Sequence, residues 1–206
     1  MLNKIPKIIH QIWVGSKEMP VEWMQTWKDK HSEWEFMLWD NESVFKHNFR
    51  HKDKIERCIA KGLPHGAADI IRYEILYEFG GVVAPADSIC LLPIDELLDI
   101  EEDCFCCYQH EVKRPGILSP HLGTSVNNEL MGKIIDRIPS NIKQPWQQTG
   151  NLLLTKMVKE LGYPIKIYPS VFFIPVYNDN TTQEGKSYAD HKWGSTLHRY
   201  KTIRKT

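Results

Sequence analysis

The sequence has no net charge, no long apolar run and few cysteines, and each lack closes off a class. Its 26 basic residues balance 26 acidic ones, so no global field draws the chain to nucleic acid or anionic lipid. No stretch approaches the about 18 apolar residues that a membrane-spanning helix needs. Lys4, Pro6 and Lys7 interrupt the first apolar run, so no secretory leader is expected. Internal repeats and low-complexity tracts are missing, and no G-x-G-x-x-G follows the first apolar segment, which argues against a plain dehydrogenase-like domain. The cysteines are Cys58, Cys90, Cys104, Cys106 and Cys107. An odd count with three crowded together is no disulfide framework; it implies a reducing compartment and a cytoplasmic location. Cys104, Cys106 and Cys107 with His110 have zinc-ligand chemistry. Phe105 and Tyr108 interleave them as in a strand, however, and the short ligand-spacing loop is missing, so buried structural cysteines are expected. The one basic cluster, at 199–205, reads as a solubilising end.

What is present is the composition of a globular domain: 206 residues, 42% of them apolar, enough for one core. The segment 5–14, with Ile8, Ile9, Ile12 and Val14, has the near-continuous apolar character of a strand covered on both faces. Pro20 opens a helix on which Val21, Met24 and Trp27 share a face. A strand at 34–39 follows, then a helix near 44–49 with Asp40, Asn41 and Ser43 as capping candidates. The clearest helix spans 67–79, with Ala68, Ile71, Ile75 and Phe79 as its buried stripe and Gly80-Gly81 as its stop. Short strands at 82–84 and 89–92 flank Pro85-Ala86-Asp87. A helix near 95–98 and a strand at 104–108 come next. The Pro- and Gly-bearing run 114–124 reads as a loop. Helices at 127–138 and 151–161, strands at 165–168 and 171–174, and a polar loop at 178–187 complete the pattern. Such alternation implies an α/β fold with a mostly parallel sheet.

In such sheets ligands bind beyond the carboxyl ends of the strands. Trp13 stands at one such end, before Gly15, placed either to stack on a nucleobase or to fill the core. Asp69 and Arg72 lie three apart, on the helix face opposite the apolar stripe. They make either a surface ion pair or an acceptor and forked donor suited to sugar hydroxyls. Asp87 follows a short strand, where a carboxylate can hold a hard divalent ion alongside pyrophosphate oxygens.

These residues carry a resemblance. Residues 5–15, with His10-Gln11-Ile12-Trp13 and Gly15, resemble the opening of family 32 glycosyltransferases, a group of yeast outer-chain mannosyltransferases and bacterial and viral sugar transferases akin to the clostridial glucosylating toxins. Residues 69–81, from Asp69 and Arg72 to Gly80-Gly81, match their helix and double glycine. His191, Trp193 and Ser195 are similar to their terminal His-x-Trp-x-x-Ser element, one residue short. The resemblance implies a GT-A type nucleotide-diphospho-sugar transferase fold: a Rossmann-like sheet with helices on both faces and a C-terminal lid. It implies one domain over 1–206, with about 1–110 as the nucleotide half and about 111–206 as acceptor side and lid. It implies metal-dependent transfer, with retention, from a nucleotide sugar, most simply a UDP-sugar, to a glycan hydroxyl. Ile12 and Trp13 would then meet the nucleotide, Asp69 and Arg72 the donor sugar, and Asp87 with His191 an Mn²⁺ or Mg²⁺ ion. Pro85, Ala86, Trp193 and Ser195 would complete the donor contacts. Pro85 departs from the pattern by replacing the first Asp of the D-x-D, so an impaired enzyme, a sugar-nucleotide- or glycan-binding module, or a sugar-nucleotide hydrolase stays an alternative.

Overall fold

The structure of the protein, a computed structural model, describes residues 5–194 and 196–197. Its elements run β1 (Ile8–Trp13), α1 (Val21–Lys30), β2 (Glu35–Asp40), α2 (Asn41–Lys46), α3 (Lys52–Ala60), α4 (Pro64–Phe79), β3 (Gly81–Val83), β4 (Ser88–Cys90), β5 (Cys104–His110), β6 (Arg114–Thr124), α5 (Glu129–Arg137), α6 (Pro145–Gln148), α7 (Asn151–Leu161), β7 (Lys166–Tyr168) and β8 (Ala189–His191), with 3₁₀ turns at Asp95–Leu98 and Ser170–Phe172. Six strands form one sheet in the order β2-β1-β3-β6-β5-β7, and β4 pairs with β8 in a separate ribbon. The pairs β1–β2, β1–β3 and β5–β7 are parallel; β6 runs antiparallel to both β3 and β5. This is the mixed, mostly parallel sheet that the alternation implied.

Helices cover both faces. On one, Ile55 of α3, Ile70 and Ile71 of α4, Ile134 of α5 and Leu154 of α7 pack against Ile12, Val83 and Cys106. On the other, Trp27 of α1 and Phe173 pack with Ile9, Val82 and Phe105. Strand alternation sorts the cysteines between them: Cys104 and Cys106 point to the first core, Phe105 and Cys107 to the second. All five cysteines are buried and free, and burial pushes the Cys90 thiol up to about 12. Among the described residues no helix is long and apolar enough to cross a membrane.

Four expectations need correction. The run 114–124 is strand β6, not a loop. Pairing on both sides overrides its turn residues, and the irregularities fall where the β5–β6 register shifts, at Phe105/Cys107 and Tyr108/His110. Gly123 is needed there, since a Cβ would lie 2.3 Å from the Phe105 ring. The segment 171–174 begins in a 3₁₀ turn rather than a strand. On α1, Met24 and Trp27 are buried but Val21 is exposed; residues spaced strictly by three drift around a 3.6-residue helix and leave the face. Finally, α4 is buried at every position from Asp69 to Leu76, with Asp69 and Arg72 buried as well as Ile70, Ile71 and Ile75. That stretch of the helix has no solvent face for an exposed Asp69–Arg72 pair.

Candidate active site

The site begins with two glycines. α4 stops at Gly80 (φ 64°) and β3 begins at Gly81 (φ 89°), both in the left-handed region. A Cβ on Gly81 would lie 2.7 Å from the Ile8 carbonyl oxygen, so only glycine lets β3 close onto β1. His10 fixes the junction. The Trp39 indole N–H donates to its Nδ1 (3.1 Å), which leaves Nε2–H to donate to the Gly80 carbonyl (2.8 Å). Burial lowers the His10 imidazole from 6.5 to about 4, so it works as a neutral strut. At the end of β1 the Trp13 indole N–H donates to the Lys17 carbonyl at 2.9 Å. Asn41 clamps the Gly15 peptide through its own Oδ1 and Nδ2, both at 2.9 Å, while Asp40 and Ser43 form the capping box of α2. The result is a slot of about 180 Å³ whose walls include Ile12, Trp13, Pro64, Ala68, Pro85 and Ala86.

Past β3 the chain turns at Pro85-Ala86-Asp87. The Pro85 carbonyl accepts from the Ser88 N–H (3.0 Å) and the Ser88 hydroxyl (2.6 Å), and the Trp27 indole N–H donates to Ser88 Oγ (3.0 Å). The β4–β8 ribbon pairs Ser88 with His191, which brings the C-terminal residues to Asp87. The Asp87 carbonyl accepts from the Lys192 N–H at 2.7 Å, and its carboxylate Oδ2 from the Gly194 N–H at 3.0 Å. The other carboxylate oxygen is 3.5 Å from His191 Nδ1. Trp193, held at φ 53°, donates its indole N–H to the Val176 carbonyl (2.9 Å) and sets its ring edge-on to His191 and Tyr177. Ser195 lies outside the described residues, as does the basic run 199–205.

The slot opens into a cleft of about 550 Å³, with Arg72, Pro85 and Asp87 in both walls. Deeper in, Asp69 pairs with Arg72 at 3.0 Å and accepts from the Thr149 hydroxyl at 3.0 Å. Burial pushes the Asp69 carboxyl up, while Arg72 and Thr149 pull it down. The far wall holds residues that sequence reasoning passed over: Gln109, Ser119, His121, Trp146 and Asn151. His121 is fully buried, its Nδ1 is 2.9 Å from the Ser119 hydroxyl, and burial beside His191 and Arg72 holds it well below the usual imidazole range. The signal for it was the Ser119-x-His121 alternation against Leu118 and Leu122, which is legible only once β6 is recognised as a strand.

The structure thus gathers Ile12, Trp13, Asp69, Arg72, Pro85, Ala86, Asp87, His191 and Trp193 around one continuous opening. Among the described residues no three His, Cys, Asp or Glu side chains converge as a ready metal cluster. Asp87 and His191 offer two donors. Nδ1 of His191 is buried without a hydrogen-bond partner, and its 3.5 Å separation from the carboxylate suits two ligands of one ion at about 2.1 Å each. Those two donors fit part of a dication's ligand set, the rest of which would have to come from elsewhere.

Comparison with known proteins agrees with the resemblance read from the motifs. Residues 18–104 match the family described as a glycosyltransferase sugar-binding region containing a DXD motif. Inositol phosphoceramide mannosyltransferase 3 of Schizosaccharomyces pombe is 27% identical over 145 residues, 66% of this chain and 37% of the relative. The chain therefore spans well under half the length of that relative. Among solved structures, PaToxG glycosyltransferase superposes with a TM-score of 0.63 at 17% identity, covering 77% of this chain and 70% of that one. The UDP-bound glycosyltransferase domain from the YGT toxin gives 0.59 at 9% identity, covering 81% and 80%. The fold is the GT-A type.

Proposed function

We propose that this chain, whose residues 18–104 match the family described as a glycosyltransferase sugar-binding region, moves a sugar from a nucleoside-diphosphate sugar, a UDP-sugar in the first instance, to a hydroxyl of a glycan. The observation that carries this reading is the convergence of Trp13, Arg72, Asp87 and His191 on one opening from four separated parts of the sequence. Trp13 offers an aromatic face to the base at the slot, and such stacking contributes about 1–3 kcal/mol. Asp69 and Arg72 present an acceptor and a forked donor, one turn apart, to the hydroxyls of the transferred sugar. Asp87 and His191 would hold Mn²⁺ or Mg²⁺, which supplies Lewis-acid neutralisation of the departing diphosphate. Trp193 screens that charge from water at the mouth of the cleft. Retention of configuration is part of the reading and is supported by the motif resemblance alone.

Pro85 keeps a second reading alive, a module that binds sugar nucleotides without turnover, because proline offers no side-chain group to a sugar. A melting-temperature panel of nucleotide sugars with and without Mn²⁺ tests the donor site: a ligand at 100 times its Kd adds about 2.7 kcal/mol of stability. UDP-glucose with Mn²⁺ is expected to raise Tm in the parent, and Asp87→Asn to abolish the metal-dependent part, since an amide is a poorer ligand for a hard dication. A panel with no shift from any nucleotide sugar or diphosphate removes the donor site. Product analysis with and without glycan acceptors then separates transfer, hydrolysis and mere binding.

A further inference from the structure

Four polar side-chain atoms in the wall of the cleft are buried with no hydrogen-bond partner among the described residues: Arg72 Nε, Gln109 Oε1, His121 Nε2 and His191 Nδ1. Folded proteins leave few buried polar groups unpaired, so such a gathering marks the place of a polar ligand. Arg72 and His191 already have roles in the donor site. Gln109 and His121 have none, and they come from other elements, β5 and β6.

His121 is held in place by its surroundings. The Phe173 ring stacks on it at 5.0 Å, the His191 ring meets it edge-on at 5.6 Å, and the Ser119 hydroxyl is 2.9 Å from Nδ1. These contacts fix the imidazole plane and leave Nε2 as its one unsatisfied atom. Nε2 is a donor in the tautomer in which the Ser119 hydroxyl donates to Nδ1, and an acceptor in the other, so a hydroxyl group can meet it in either. Gln109 Oε1, in the same wall, is an unsatisfied acceptor. A diphosphate has only acceptor oxygens and leaves Gln109 unmet, whereas hydroxyl groups both donate and accept and satisfy the two together.

We propose that His121 and Gln109 hydrogen-bond the hydroxyls of the sugar that the donor carries, and so set which sugar the site accepts. The inference rests on the donor-site reading above and adds the residues that read the sugar.

Calorimetric titration of UDP-glucose and of UDP, each with Mn²⁺, tests it on three proteins: the parent, His121→Phe and His121→Gln. Phenylalanine keeps the stack on Phe173 and removes the nitrogen; glutamine returns an amide nitrogen close to the place of Nε2. His121→Phe is expected to weaken UDP-glucose about tenfold or more and UDP by less than about twofold, with His121→Gln recovering most of the loss. A purely structural role for His121 would not separate the two ligands. Should His121→Phe not fold, Gln109→Leu is expected to give the same split. Equal weakening of both ligands overturns the proposal and moves His121 to the diphosphate or the cation. Unchanged binding of both overturns it too. A parent that binds neither ligand instead removes the UDP-sugar reading of the donor site on which the proposal rests, an outcome distinct from either.

Discussion

Pro85 lies at the mouth shared by slot and cleft, and its structural duties belong to its backbone. Its carbonyl anchors the turn by accepting from the Ser88 amide and hydroxyl, a service any residue provides. Pro85→Asp is therefore expected to fold, with a stability cost of about 0.4–1 kcal/mol from the freer unfolded chain. A carboxylate there gains charge-assisted hydrogen bonds from sugar or ribose hydroxyls, about 1.5–3 kcal/mol. Donor affinity or turnover should rise roughly tenfold, since about 1.4 kcal/mol is a factor of ten. Titration with and without Mn²⁺ checks it. The gain should require the cation, because without one the new carboxylate repels Asp87, and should exceed the gain for the bare diphosphate. A folded variant that binds no better shows that Pro85 is adapted to a different donor geometry. At this scale the sequence was informative for residues whose neighbours make a motif: Trp13 before Gly15, Asp69 with Arg72, Asp87 in its turn. It was silent on His121, whose partners Ser119, Phe173 and His191 meet it only through strand pairing and the C-terminal ribbon.

Elements whose cause is local were readable; those whose cause is distant were not. β1 declared itself by its apolar run, and α4 by its length and double glycine, although Pro64 at its first turn extends it upstream of the expected start. By contrast α3, absent from the sequence reading, depends on a remote side chain: Glu74 of α4 accepts from the Arg50 N–H (2.5 Å) and the His51 N–H (2.9 Å) just before the helix begins. β6 and β8 likewise exist because of the strands beside them, and β8 is what brings His191 to Asp87. The glycine junction at the end of α4 allows a direct test of how tightly an element boundary is determined. Gly62 (φ 70°) and Gly81 (φ 89°) are both left-handed, but a Cβ at Gly62 meets nothing within 4 Å, whereas one at Gly81 strikes the Ile8 carbonyl at 2.7 Å. Gly62→Ala is expected to cost about 1–2 kcal/mol, the conformational penalty alone. Gly81→Ala should cost clearly more, on the order of 3 kcal/mol or above, because backbone must also shift. Chemical denaturation of the two variants compares them. Equal losses would mean that β3 can move off β1 without penalty.

The whole molecule rests on neutral histidines buried between its layers, and this gives its stability a pH dependence of definite sign. His10, wholly buried between β1, β2 and the end of α4, is lowered from 6.5 to about 4. His31 is also lowered, burial being the main cause, with its Nδ1 on the Trp27 carbonyl and its Nε2 accepting from the Ile94 N–H. In the unfolded chain both titrate near the ordinary value of about 6.5. Between that pH and the folded value the unfolded state binds protons that the native state refuses, so stability falls as the pH falls. The contribution is fully present above about pH 6.5 and drains away on acidification; for His10 the gap from 6.5 to about 4 corresponds to roughly 3 kcal/mol. Asp69, raised by burial, works in the opposite direction, so a loss of stability across this window points to the histidines and not to the buried ion pair. Urea denaturation at steps from pH 7.5 to 4.5 is expected to show the decline well before the carboxylates of exposed pairs such as Lys7–Asp95 begin to protonate. His10→Gln assigns it. The variant should be less stable than the parent at pH 7.5, having lost the strut between Trp39 and Gly80, yet decline less steeply on acidification. An unchanged slope in a folded variant would show that His10 is charged, or solvated, in the native protein, and that the β1–β3 junction is held by its glycines without the imidazole.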